Sequence, residues 1–457
     1  MSDLEGLANL LLEKGIPERE ILERLTLEIQ TFKPVGKAKA EKLARAVLAE
    51  VSRSRIKPSS PLFKKLLEPS KSGVTMGLMG VGCRGEGDFY VHSLIAKVSS
   101  LKNLKPLLGP LALDDAGAVE HGGTVVVVAV DGTHSRLSRF PLVAGFHVAR
   151  AALRDVYVKG AKPLALFDDL HLSDDGDVGM LFDFVAGVSA VSELTGVPLV
   201  AGSTLRVGGD MVIGDRMVSC VGAVGIVSNL KALAAKRNVK PGDLILMTEG
   251  AGGGTIATTA IYAGKPEILK ETLNVRFLET CDFLLGSGLA ELTHSMTDIT
   301  NGGIRGDAPS ICKEAKVGIV VDEESFRGLV NPKVLSLLEE YGVDPLGVSV
   351  DSLLMFTPES YADTILKEVR RLGVKVDIVG EVLAKPRKAL LHSHGRTFEL
   401  KPKFRESAYT EVKKLVGEKA EASVEELKVK VAKAYREALA KRRLLVKIVR
   451  KARGTST

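Results

Sequence analysis

Residues 124–131 read TVVVVAVD; the chain goes on as LVAGFHVARAALRDVYVKG (142–160) and KPLALFDDL (162–170). The first run is unbroken, β-branched and short, which predicts a buried strand. In the second, apolar residues recur at helical spacing, and the third is again a strand. DVGMLFDFVAGVSAVSELTG (177–196) and RMVSCVGAVGIVS (216–228) add a helix and a strand. An order of strand, helix, strand, helix, strand predicts an α/β domain.

Working outward, KPGDLILMTEG (240–250) turns into another strand, and AGGGTIATTAIYAG to VKVDIVGEVLA (251–384) reads as a second unit. The expected divisions are a helical extension and linker over 1–70, domains over 71–229 and 230–400, and a basic helical tail over 401–457. LEGLANLLLEKG, REILERLTLEIQTF and KAKAEKLARAVLAEVSRSR supply the N-terminal helices, and IKPSSPLFKKLLEPSKSG is the linker.

A 457-residue chain with 45% hydrophobic content exceeds the roughly 250–300 residues at which single cores stop growing. No apolar run approaches the ~20 residues a bilayer requires, and MSDLEGLANLL is neither a secretory nor a transit signal. The expected location is cytoplasmic. Cys83, Cys220, Cys281 and Cys312 form no CxxC pair, so free thiols are expected rather than disulfides or a zinc site. Trp is absent and aromatics reach only 5%, leaving little for base stacking. The net charge of +7 is uneven: residues 401–457 hold 17 Lys or Arg against seven Glu, whereas 71–400 are net acidic.

GVGCRGEGDF (80–89) puts Gly80, Gly82 and Gly85 in GxGxxG spacing after the apolar VTMGLM. A dinucleotide fingerprint requires a helix after Gly85 and an acidic residue about 20 positions on. GEGDFYVHSLIAKV follows instead, and the next acids after Asp88 are Asp114 and Asp115. The loop reads as a mobile phosphate-binding lid rather than a nicotinamide turn.

Acidic residues cluster where strands should end: Asp114 and Asp115 in LALDDAGAV, Asp131 in VAVDGTH, Asp155 in LRDVYVKGAKP and Asp298 in MTDITNGGIRGD. Singly each is a cap or turn residue; converging, they form a cradle for nucleotide-bound Mg²⁺. In this order, with PLVAGSTLRVGGD, VSVDSLLMFTPE and VDIVGEV, the motifs resemble a superfamily of ATP-binding enzymes. Its members are aminoimidazole ribonucleotide (AIR) synthetase, selenophosphate synthetase, thiamine monophosphate kinase and hydrogenase maturation dehydratase. The resemblance covers roughly residues 72–385.

It implies a two-domain α/β (α+β) AIR synthetase-like fold with helical extensions at both ends. The N-terminal half would be ferredoxin-like and form a β-barrel across a homodimer. Asp114, Asp115, Asp131, Asp155 and Asp298 would hold magnesium and ATP phosphates, with Arg84 and Asp115 catalytic. Gly80, Gly82, Gly85, Asp131, Gly202 and Thr204 would bind the nucleotide. The implied chemistry is Mg²⁺-dependent transfer of the γ-phosphoryl group of ATP to a small-molecule substrate, or its activation. A nucleotide-regulated assembly or nucleic-acid-binding factor with little turnover is the alternative, drawn from the basic ends.

The chain departs from each branch. Selenophosphate synthetases carry Cys or selenocysteine where Val81 precedes Gly82, Cys83 and Arg84, and hydrogenase maturation dehydratases end in a cysteine where this chain ends KARGTST. Thr300, Asn301 and Gly302 replace an acidic Ser-Asp-Gly of thiamine monophosphate kinases, and Ala201, Gly202, Ser203 and Thr204 replace a Gly-Gly-Asp-Thr turn.

Smaller features carry two readings each. Arg84 is a bidentate phosphate clamp or a solvated loop arginine. Cys83 is a nucleophile or a small residue in a tight loop. Glu86 and Asp88 are bases or solvated loop charges, and His134 is the histidine expected near the site. Gly250, Gly252, Gly253 and Gly254 present N–H groups to an anion or merely connect. FKPVGKAKAEKLARAV is an ordinary helix pair rather than a nucleic-acid hairpin. AKRRLLVKIVRKARG is a solvated face or a docking helix, or a contact for an acidic partner, RNA or a membrane surface, without membrane insertion.

Overall fold

The computed structural model describes residues 1–55, 60–101, 103–133, 135–227, 230–299, 302–406 and 408–452. His134, Thr300, Asn301, part of the linker and the last residues of KARGTST lie outside them.

Three helices, Leu4–Glu13, Glu18–Phe32 and Lys37–Ser54, form the N-terminal unit. Ile21, Leu25 and Ile29, one turn apart, meet Ala40, Ala44, Val47, Leu48 and Val51 in a private core. Ile213 of the main body completes that core, Ser2–Asp3 pairs with Val212–Ile213, and the Lys33 ammonium bridges Asp174 at 2.5 Å and Asp175 at 2.7 Å. The unit is therefore docked.

The first sheet has five strands in the order Gly117–His121, Thr124–Thr133, Met217–Val227, Lys162–Leu172, Leu199–Arg206. All neighbours are antiparallel except the last pair. Val125, Val127 and Ala129 alternate inward beneath the helices Pro141–Tyr157 and Gly179–Thr195. These helices cross in contact because Gly145 and Gly187 lack side chains: a Cβ on either would overlap the carbonyl oxygen of Phe184 or Leu142. On the other face Val119, Val128 and Val130 are 45–63% exposed.

The expected β-barrel is corrected by this topology. Gly117–His121 and Leu199–Arg206 are opposite edges that do not pair with each other, so the sheet is open, and none of the described sheets closes. What is observed is an α/β fold of two mixed sheets with helices.

The second sheet runs Arg396–Glu399, Ala389–Ser393, Gly318–Asp322, Val376–Leu383, Asp243–Thr248, Leu353–Pro358, Ser295–Asp298. Leu246, Met296, Leu353 and Met355 from it join the core under the first sheet, so the two halves share packed apolar contacts. No described helix is long and apolar enough to cross a membrane.

Before the first sheet lie the helices Met76–Met79 and Glu86–Ser99. A helix does follow Gly85, contrary to the reading of GEGDFYVHSLIAKV, yet what precedes the glycines is a helical turn and not the strand a dinucleotide fold needs. The basic tail forms a helix, Val424–Ala452, packed along Glu86–Ser99. The Tyr90 hydroxyl donates to the Lys428 carbonyl at 3.0 Å, Lys428 bridges Glu86 at 2.7 Å, and Arg442 donates to the carbonyls of Val98 and Ser100.

Candidate functional site

A cavity of about 960 Å³ opens between the two sheets. Its floor comes from Asp114, Asp115, Asp131, Arg150, Arg154 and Asp155, and Lys236, Gly253, Gly254, Asp307 and Asp351 close the far side. Val81, Gly82, Cys83 and Arg84 form one rim.

The helix Pro141–Tyr157 places three of these groups by its periodicity. His147, Arg150 and Arg154 recur at three- and four-residue steps, so one face of an otherwise buried helix carries a polar stripe with two cations. Arg154 Nε lies 2.5 Å from Asp298, and its Nη1 donates to Asp351 at 2.7 Å; Arg150 pairs with the other oxygen of Asp351. Burial opposes ionisation of Asp351, but Arg150 and Arg154 outweigh it and hold the carboxyl below its usual range. Burial, then the charge of Arg150, pushes the His147 imidazole down to about 3, so it is neutral.

Asp114 and Asp115 meet two lysines. Lys159, fully buried, reaches Asp114 at 2.6 Å and Asp115 at 2.9 Å, and Lys236 reaches Asp115 at 2.6 Å. The Thr297 hydroxyl donates to Asp115 at 2.8 Å, and the Lys236 backbone N–H donates to Asp114 at 3.1 Å. Against the cost of burial these cations keep Asp115 well below the ordinary carboxylate range.

Asp155 and Asp298 are in the opposite situation. Burial, with the negative charge of Asp298 next and Asp131 and Asp115 behind it, raises Asp155 well above a normal carboxyl. Burial, only partly offset by Arg154, pushes Asp298 up to about 7, and Asp115 and Asp307 add to the rise. Neither Asp298 oxygen has a hydrogen-bond partner of good geometry. Five aspartates from separate segments thus feel one another, and they are under-neutralised at the Asp155–Asp298 end.

The glycine loop is tied down rather than loose. Asp88, wholly buried rather than solvated, accepts from the N–H groups of Gly82 and Arg84, both at 3.0 Å. A strap from the far end of the chain lies across it: Glu86 N–H donates to Lys403 O at 2.8 Å, Gly87 N–H to Phe404 O at 3.3 Å, and Glu406 N–H to Cys83 O at 2.9 Å. Arg405, 3% exposed, donates to the carbonyls of Gly77 at 3.0 Å and Leu78 at 3.2 Å. Gly85 is required by this strap, because a Cβ there would overlap the carbonyls of Lys403 and Phe404; at Gly80 it would come within 2.9 Å of the Arg405 side chain.

Of the expected residues, Gly82, Arg84, Asp114, Asp115, Asp131 and Asp155 line the cavity, and Asp298 backs it through Arg154. Gly80 and Gly85 face the strap. Gly202 and Thr204 lie on the exposed edge strand Leu199–Arg206, outside the lining. Sequence reasoning passed over Arg150, Arg154, Lys159, Lys236 and Asp351. The signal for the arginines was there, as two cations four residues apart on an apolar helix; Lys159 and Lys236 look like ordinary loop charges.

Two family models match the chain: AIR synthase related protein, N-terminal domain, over residues 113–227, and AIR synthase related protein, C-terminal domain, over 240–393. An uncharacterized protein of Methanocaldococcus jannaschii is 50% identical over 455 residues, covering 98% of this chain and 99% of its own. Carbamoyl dehydratase HypE of Rhodobacter capsulatus is 28% identical over 51% of this chain and 67% of its own, and selenide, water dikinase of Myxococcus xanthus is 26% identical over 62% and 88%. Among solved structures, a chain of a HypE–HypF complex superposes with a TM-score of 0.56 at 21% identity, over 68% of this chain and 99% of that one. HypE in complex with ATP gives 0.51 at 20% identity, over 64% and 88%. The structural likenesses speak for the fold alone. With two family models spanning both sheets and a half-identical relative aligned nearly end to end, the chain belongs to the AIR synthase-related proteins.

Proposed function

We propose that the protein is a Mg²⁺- and ATP-dependent enzyme that transfers the γ-phosphoryl group to a small-molecule substrate, or activates the substrate that way. The observation that carries this reading is the convergence of Asp115, Asp131 and Asp155 on one cavity, backed by Asp298, whose carboxylate is ion-paired with Arg154 but has no hydrogen-bond partner of good geometry. That donor set suits a hard cation. Among the described residues no three such side chains enclose a metal by themselves, so one or two carboxylates would share the ion with phosphate oxygens. Asp131, Asp155 and Asp298 would hold it, and when bound it would neutralise charge developing on the phosphates.

The remaining roles belong to the chain's own groups. Lys159 and Lys236 hold Asp115 ionised, Lys159 also bridges Asp114, and Arg154 links Asp298 to Asp351. Gly82 and Arg84 form the rim on which the phosphates rest, with the Arg84 guanidinium as clamp. It is stacked 5.6 Å from the Phe89 ring centroid. Asp115, kept ionised by the two lysines, is the proposed catalytic carboxylate.

A second copy of the chain is the proposed partner. Val119, Val128 and Val130 form an apolar patch on the uncovered sheet face, which a homodimer would bury. Four free cysteines suit a reducing compartment, and the proposed location is the cytoplasm.

Calorimetric titration of Mg²⁺ with a non-hydrolysable ATP analogue tests the reading. Binding should require Mg²⁺ and weaken sharply in Asp298→Ala and Asp115→Ala; a wild-type protein that binds no nucleotide refutes it. Phosphate release with a panel of metabolites then separates an enzyme from a nucleotide-regulated factor.

A further inference from the structure

The matched family region ends at residue 393, yet the chain beyond it returns to the cavity, where Pro402, Tyr409 and Lys413 form part of the wall. This wall is fixed. The strap at Lys403–Glu406 is bonded to the glycine loop, and Tyr409, 8% exposed, packs into the core of the second sheet.

Lys413 stands on that ring, its ammonium 4.0 Å from the Tyr409 centroid. Attraction to the ring face orients the cation but uses none of its three N–H donors. Among the described residues no carboxylate pairs with Lys413; its neighbour Lys414 takes Glu411 instead. Lys313, on the helix Gly303–Ala315 and lining the same cavity, likewise has no carboxylate partner among the described residues. The cavity therefore has an aspartate floor suited to a metal and a lysine wall suited to an anion.

We propose that Lys413, held on Tyr409 and assisted by Lys313, binds an anionic group of the acceptor substrate, a phosphate or a carboxylate. The inference rests on the phosphoryl-transfer reading of the same site. It makes the C-terminal extension a part of substrate recognition.

The test uses the full chain loaded with Mg²⁺ and a non-hydrolysable ATP analogue, so that the nucleotide site is filled, and titrates pyrophosphate and citrate in separate calorimetric runs. One of the two should bind, and which one names the anion. Lys413→Gln should weaken that binding about tenfold, the scale of one charge-assisted hydrogen bond. Lys413→Arg should retain most of it, Lys270→Gln on the surface should change nothing, and nucleotide affinity should be the same in all. Equal affinity in Lys413→Gln and wild type, or no binding of either anion to wild type, overturns the proposal. If the analogue itself fails to bind, the phosphoryl-transfer reading falls, and the same comparison run without nucleotide still decides the role of Lys413.

Discussion

Replacing Lys159 by Met keeps the apolar stem and deletes the charge between two buried carboxylates. In the native site Lys159 lies 2.6 Å from Asp114 and 2.9 Å from Asp115, with side chains 0–4% exposed. Asp115 retains Lys236 and the Thr297 hydroxyl, but among the described residues Asp114 keeps only neutral donors, the backbone N–H groups of Asp115 at 3.0 Å and Lys236 at 3.1 Å, and no cation in contact. Breaking a buried pair from one side costs about 3–5 kcal/mol. An orphaned carboxylate can escape by taking up a proton, and from an ordinary pKa near 3.9 that costs roughly 4 kcal/mol at pH 7 and roughly 1–2 kcal/mol at pH 5. The loss should therefore be ~3–4 kcal/mol at pH 7 and less than half of that at pH 5. Urea unfolding followed by far-ultraviolet circular dichroism measures both, since the chain offers no tryptophan signal. A variant as stable as wild type at pH 7, or one equally weakened at both pH values, refutes the reasoning.

His147 is held neutral in the fold, with its pKa lowered to about 3, whereas unfolded histidine titrates near 6.5. The unfolded chain binds the extra proton first, so this residue makes stability fall as pH drops from about 6.5 toward 3 and contributes no slope above that window. His147→Gln should flatten that part of the denaturation-midpoint profile. Gly85→Ala should loosen the strap, and limited proteolysis should cut near residues 403–406 faster than in wild type, while the rest of the fold persists. Leu25→Ala, at a fully buried position of the N-terminal unit, should cost about 2–5 kcal/mol, read as early loss of helical signal on heating. Val128→Asp with Val130→Asp should leave the circular dichroism unchanged and halve the mass seen by sedimentation.

Much of the fold was legible because its strands are runs of β-branched residues and its helices carry a clear period. TVVVVAVD is a strand for that reason, but strand ends alone do not gather the aspartates: Asp131 lies on that strand and Asp298 ends another, whereas Asp155 sits on the helix Pro141–Tyr157 and Asp114 and Asp115 on the loop before Gly117. PLVAGSTLRVGGD was harder. It holds the motif that replaces Gly-Gly-Asp-Thr, and it forms the edge strand Leu199–Arg206, exposed on both faces and so without an apolar alternation to announce it. The barrel came from resemblance, and the sheet's two edges do not meet. The strap had no local signature at all: GVGCRGEGDF needs its glycines for a segment more than 300 positions away, and no periodicity reports a contact at that distance. Basic partners such as Lys159 and Lys236 were hidden for a related reason, because a charge in a loop looks the same whether it is solvated or locked against a buried acid.

The strap also sets an order on synthesis. Its carbonyls at 403 and 404 receive the N–H groups of Glu86 and Gly87, so the rim of the cavity cannot be completed until residues made far later have left the ribosome. At ~5–20 residues per second that interval is on the order of 15–60 s, long enough for the first sheet to fold alone. During it the helix Glu86–Ser99 exposes the face that the tail will cover, and a nascent or truncated chain lacks the part of the cavity wall that Pro402, Tyr409 and Lys413 supply. The cavity wall is thus assembled from segments more than 300 positions apart, and its closing comes after both sheets have been made.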